Sequence, residues 1–84
     1  MNTNFELSLL FEQNWEDKPP ILIECNFKDK VSDIIEKYRN KANDYYENRK
    51  FIFNAKNLEP SYSVAEVGLL DNSFIYVIST GDLK

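Results

Sequence analysis

The chain has 84 residues, which allows one hydrophobic core and leaves no room for a second. Hydrophobic residues make up 43% of it and aromatic residues 14%, enough apolar surface to offset the entropy of folding, so the composition predicts a folded chain. A formal net charge of −4 opposes a phosphate backbone, because nucleic-acid binders carry a basic stripe that displaces counterions.

Phe5, Leu7, Leu9 and Phe11 alternate with Glu6, Ser8, Leu10 and Glu12, the period of two that a strand with one buried face requires. The polar stretch from Gln13 to Lys18, closed by Pro19-Pro20, interrupts the pattern before Ile21 to Cys25 resume it, so a hairpin with a long loop is predicted. The period then changes. Val31, Ile34, Ile35, Tyr38 and Ala42 recur at steps of three and four while Lys30, Asp33, Glu36, Lys37 and Lys41 take the other side, which predicts one amphipathic helix. Asp29 is its predicted N-cap, and Lys37, Arg39 and Lys41 suit the negative end of the helix dipole. The stretch from Asn40 to Asn48 ends the helix. Phe51 to Phe53 then form a short strand, Asn54-Ala55 a turn and Leu58 a return to the core, and Ser73 to Ile78 give the last strand. Strand, strand, helix, strand, short strand, strand predicts an α+β fold, with one helix packed across one mixed sheet.

The segments K-F-I-F-N-A-K-N-L (Lys50 to Leu58) and V-A-E-V-G-L-L-D-N-S-F-I-Y-V-I (Val64 to Ile78) resemble the third and fourth strands, and the final loop and strand, of the ubiquitin family. From Ile21 onward the chain lies on that family's pattern without a gap, and only the first loop is longer. The resemblance implies the ubiquitin-like β-grasp fold over residues 1–84, as a stand-alone adaptor or the N-terminal module of a larger protein. Conjugated members of the family end in two glycines, whereas Leu83 and Lys84 stand there in this chain, so the resemblance implies a domain that is not attached to substrates. Lys56 matches a chain-forming lysine of the family, but Asp71 replaces another. Val67 replaces a tyrosine that braces the last loop, which predicts a looser loop.

Alternation assigns Ile23, Phe51, Phe53, Leu58, Val64, Leu69, Ile75 and Val77 to the core. The same parity turns Leu10, Leu22, Ile52, Phe74, Tyr76 and Ile78 outward, so the sheet is apolar on both sides. Contiguous exposed apolar surface marks an interface more often than not. In the resemblance, Ile52, Tyr76 and Ile78 match the family's hydrophobic recognition patch and Lys50 matches a flanking arginine. The patch's leucine has no direct counterpart, leaving Trp15 or Phe11 as substitutes. Protein binding is therefore assigned to Ile52, Tyr76 and Ile78 at the centre, with Leu10, Trp15 and Lys50 around them. Lys50, Arg49 and Lys56 are also candidates for steering an acidic partner.

Cys25, the only cysteine, falls at an inward position and reads as a small core hydrophobe. The chain contains no histidine, and it has neither a Gly-rich phosphate loop nor a thiolate cluster, so neither catalysis nor a cofactor is expected. No stretch approaches membrane-spanning length and the N-terminus lacks the basic-then-apolar pattern of a leader, which predicts a cytoplasmic or nuclear protein without a membrane partner. Of Tyr45 and Tyr46, one ring is expected at the core edge and one in solvent. The leading expectation is a ubiquitin-like protein-interaction domain whose partners, by resemblance, are ubiquitin receptors, proteasome or chaperone components, with the domain itself monomeric. The alternatives are a self-associating structural module and a covalent modifier with a longer native C-terminus.

Overall fold

The computed structural model describes residues 4–80 and contains β1 (Leu7–Gln13), β2 (Ile21–Cys25), α1 (Val31–Ala42), β3 (Arg49–Phe53), β4 (Lys56–Asn57) and β5 (Ser73–Ser79). The five strands form one sheet in the order β2-β1-β5-β3-β4. β1 runs antiparallel to β2 and parallel to β5, and β3 is antiparallel to both β5 and β4. This is the mixed β-grasp sheet. The parallel β1–β5 pair puts the first and last strands side by side within the sheet.

α1 crosses one face. Its apolar stripe buries Val31, Ile34 and Tyr38; Ile34 and Tyr38 share one core with Leu9, Phe11, Ile75 and Val77, and all seven are fully inaccessible. Phe11 and Tyr38 stack with ring centroids 4.9 Å apart, and Phe51 meets both edge-on at 6.1 and 5.7 Å. Each such side chain contributes roughly 1.5–3 kcal/mol by leaving water, and the aromatic pairs add to that. The inward assignments hold for Ile23, Phe51, Val64, Leu69, Ile75 and Val77, while Phe53 and Leu58 are half-buried at the core's margin.

Several local expectations are corrected. Phe5 is not a core strand residue: β1 starts at Leu7, and Phe5 is exposed with the Lys37 ammonium 4.8 Å from its ring centroid. Asp29 does not cap α1, because its carboxylate accepts from the Asn26 N–H at 2.9 Å and shapes the turn before the helix. Lys30 occupies the N-cap position, and Asp33 reaches back to accept from the Lys30 N–H at 3.0 Å, a carboxylate at the positive end of the dipole. Asn43 closes the helix in the left-handed region (φ 56°).

Asn54 and Ala55 both have positive φ, 55° and 66°, which makes the β3–β4 connection the two-residue turn whose twist suits a hairpin. The last loop is tied down despite Val67. Ser63 and Glu66 exchange backbone-to-side-chain hydrogen bonds at 2.8 and 3.1 Å, and Val64 N–H donates to Asp29 O at 2.7 Å. The Ser63 N–H holds the exposed Glu66 carboxyl below its ordinary range.

Candidate functional site

The outer face of the sheet is built by strand register. Leu10 stands between Leu22 on β2 and Phe74 on β5, Tyr76 stands between Glu12 on β1 and Ile52 on β3, and Lys50 is opposite Ile78. These are three adjoining rows of one surface, because directly opposed residues across neighbouring strands share a face about 5 Å apart. Leu22, Phe74 and Tyr76 are 42%, 40% and 46% exposed, while Leu10, Ile52 and Ile78 are half-buried between them. The Phe74 and Tyr76 rings lie nearly parallel, with centroids 6.4 Å apart. Exposed side chains standing over a half-buried floor make a shallow apolar surface, edged by Glu12 and Lys50. Neither of those charges enters an ion pair among the described residues, where the pairs are Lys18–Glu16 and Arg49–Asp44.

Five of the six residues assigned from sequence therefore share this face: Leu10, Lys50, Ile52, Tyr76 and Ile78. Trp15 does not. Its ring packs against the core margin on the helix side, with the Arg49 guanidinium 4.0 Å from its centroid. Arg49 has the same parity as buried Phe51, opposite to Lys50 and Ile52, so the residue it covers is held on the inner side. Phe11, the other substitute, is buried. Phe74, stacked beside Tyr76, supplies the bulk instead.

A second polar constellation lies at the end of the sheet where α1 terminates. Asp44 is 4% exposed, and both its oxygens accept from Arg49 Nε, at 3.0 and 2.9 Å. Tyr38 donates its hydroxyl proton to Asp44 Oδ2 at 2.7 Å, and Gln13 Nε2 donates to the Tyr38 oxygen at 3.0 Å. Arg49 Nη1 donates to Ser79 Oγ at 2.9 Å, and the guanidinium lies between the Trp15 and Tyr46 rings. Burial alone would push the Asp44 carboxyl up, but the Arg49 and Tyr38 hydrogen bonds outweigh it and hold the group below the usual carboxylate range. Burial and the Asp44 bond push the Tyr38 hydroxyl up.

This cluster was missed in the sequence, although a signal was there: alternation from Phe51 and Phe53 puts Arg49 inward, and an inward arginine demands a buried counterion. Arg49 is consequently not free to steer an acidic partner. Tyr45 and Tyr46 are both exposed, at 58% and 65%, because Tyr38 and Asp44 occupy the core edge expected for one of them. Cys25 is fully buried and its thiol is pushed up to about 11, chiefly by burial and then by Asp29, so it is a packing residue rather than a nucleophile. Leu83 and Lys84, the residues on which the non-conjugated reading rests, lie outside the described residues.

No family model and no curated protein matches the sequence. Solved structures do match. A protein from work on molecular mimicry of SUMO that promotes DNA repair superposes with a TM-score of 0.73 and 18% identity, covering 90% of this chain and 94% of that one. The ubiquitin of Caldiarchaeum subterraneum superposes with a TM-score of 0.78 and 11% identity, covering 88% of this chain and 92% of that one. At such identities the likeness fixes the fold, which is ubiquitin-like, and leaves the function to be argued from the surface.

Proposed function

We propose that this ubiquitin-like β-grasp chain is a non-enzymatic protein-interaction domain that engages its partners through the outer face of the sheet. One observation carries the reading: Leu10, Ile52, Phe74, Tyr76 and Ile78 come from three adjacent strands and meet in register as a continuous apolar surface. Leaving that much aromatic and aliphatic surface wet is unfavourable, at roughly 25 cal/mol per Å², and a partner that covers it recovers the difference. Aromatic residues at the centre of a patch with charges at its rim are the usual composition of a binding hot spot. Tyr76 and Phe74 fill that role, Ile52 and Ile78 form the floor, and Glu12 and Lys50 set the orientation of what docks.

The partners this reading favours are ubiquitin receptors and proteasome- or chaperone-linked proteins in the cytoplasm or nucleus, with the domain acting as an adaptor, alone or as a module of a larger protein. The experiment is capture on immobilised wild-type domain and on an Ile52→Ala/Ile78→Ala double variant verified as folded. Proteins of those classes should be held by the wild type and lost with the variant. Equal capture by both would overturn the assignment of the face. Concentration-dependent sedimentation of the wild type that disappears in the variant would instead make the face a self-association surface.

A further inference from the structure

The outer face of the sheet is not uniformly apolar. Phe74 and Tyr76 stand two residues apart on β5, so both rings rise from the same side of the sheet, 40% and 46% exposed. Their planes lie 22° apart and their centroids 6.4 Å apart, so one flat cation can come within about 6 Å of both centroids. Glu12 is the residue of β1 directly opposite Tyr76, and it has the parity of Leu10, so its carboxylate is carried on the same side of the sheet as the two rings.

Nothing in the described chain neutralises that carboxylate, since Glu12 enters no ion pair among the described residues. Lys50, which edges the same face, is opposite Ile78 on β3. It therefore stands two strands across and one side-chain row along from Glu12, roughly 12 Å between Cα atoms. At that separation salt near 0.1 M, with a Debye length of about 10 Å, screens most of the attraction between two solvated charges.

Elsewhere the chain displays what two rings and a carboxylate hold. At the end of the sheet the Arg49 guanidinium lies 4.0 Å from the Trp15 ring centroid and 4.8 Å from that of Tyr46, and Arg49 Nε donates to Asp44 at 2.9 Å. The outer face carries the same three components in Phe74, Tyr76 and Glu12, and no lysine or arginine of the described residues lies over either ring. There the components face solvent. A guanidinium suits them better than an ammonium, because its flat face stacks on a ring while its edge donates in a fork to a carboxylate. A net charge of −4 also favours encounter with a cationic segment.

Resting on the reading that the outer face binds proteins, we infer that Glu12, Phe74 and Tyr76 form an arginine subsite within it, and that the partner segment it takes is apolar with one arginine. The guanidinium lies over the Tyr76 ring with its edge toward Glu12, while the apolar side chains of the segment cover Leu10, Ile52 and Ile78. A carboxylate in the arginine's place is repelled by Glu12, so acidic segments are excluded from this end of the face.

The test is amide-shift titration of the isotopically labelled 84-residue chain with two capped pentapeptides. One is acetyl-Leu-Ile-Arg-Ala-Leu-amide, and the other carries citrulline in place of arginine, the same shape without the charge. The arginine peptide should give saturable shifts at Leu10, Glu12, Phe74 and Tyr76 and bind about fivefold more tightly than the citrulline peptide. Glu12→Gln, verified by a native amide spectrum, should bring the two affinities to within about twofold of each other. Tyr76→Leu, which keeps apolar bulk and removes the ring, should also narrow the gap. Equal affinities with shifts on the face would overturn the subsite and leave the outer-face reading standing, and that reading is tested separately by capture on Ile52→Ala/Ile78→Ala. An arginine preference undiminished in Glu12→Gln, shifts that avoid the face, or no saturable shift would each overturn the subsite as well.

Discussion

Replacing Arg49 with methionine removes the cation and keeps the apolar stem that packs beneath Trp15. The ion pair it breaks is buried on both sides, the Arg49 and Asp44 side chains being 9% and 5% exposed. Asp44 would keep the Tyr38 hydroxyl but lose both Arg49 contacts, and an uncompensated buried carboxylate destabilises by roughly 3–5 kcal/mol. Loss of the cation over the Trp15 ring adds about 1 kcal/mol. For a domain of this size roughly 4 kcal/mol lowers the midpoint of thermal unfolding by about 15 °C or more.

Urea unfolding followed by the fluorescence of Trp15, the chain's single tryptophan, measures the loss directly. Adding Asp44→Asn to Arg49→Met should restore at least about 2 kcal/mol, because the double variant buries no orphan charge. The acid limb provides a second readout. Asp44 titrates below its unfolded value, so its contribution is present above roughly pH 3.9 and is lost as pH falls through the folded value, and Asp44→Asn should flatten stability across that window. A destabilisation below about 1 kcal/mol in Arg49→Met, or no recovery in the double variant, would refute the argument that the pair is buried and mutually dependent.

Ala55 sits at φ 66° in the β3–β4 turn, where a Cβ is strained, so Ala55→Gly should raise stability by about 0.5–1 kcal/mol, and a loss in urea midpoint would contradict the turn geometry. The Cys25 thiol should resist 5,5′-dithiobis(2-nitrobenzoate) at pH 8 in the folded chain and react stoichiometrically in urea; stoichiometric labelling without denaturant would contradict its burial. Phe11→Ala removes the ring shared by Tyr38 and Phe51 and should destabilise by about 3–5 kcal/mol in chemical denaturation.

Residues with a strict period were the legible ones. Leu7, Leu9 and Phe11 on one strand and Ile75 and Val77 on another declared their inner face by alternation, and α1 declared its stripe through Val31, Ile34 and Tyr38, because burial of one face is what those periods record. The outer face follows from the same parity, which groups Leu10, Ile52, Tyr76 and Ile78 on one side of the sheet. What alternation does not encode is where a long loop sends its side chains. Trp15 was assigned to the outer face, but it turned to the helix side because the Arg49 guanidinium offered its ring a cation there. Asp29 carried a good capping side chain, yet the turn at Asn26 claimed it one residue too early for the helix. Asp44 carries no periodic signal, because only the combination of helix end, inward arginine and Tyr38 hydroxyl makes it the buried hub of the sheet's end.

The central claim is that the outer face of the sheet is the surface through which the domain binds proteins. Its most direct test is amide-shift mapping of the labelled chain against a partner recovered by the capture experiment. Shifts and line broadening centred on Leu10, Ile52, Phe74, Tyr76 and Ile78, with affinity reduced at least tenfold by Ile52→Ala/Ile78→Ala at undiminished folding, are what the account predicts. A footprint that leaves those residues unmoved, or a partner bound equally well by the folded double variant, would contradict it.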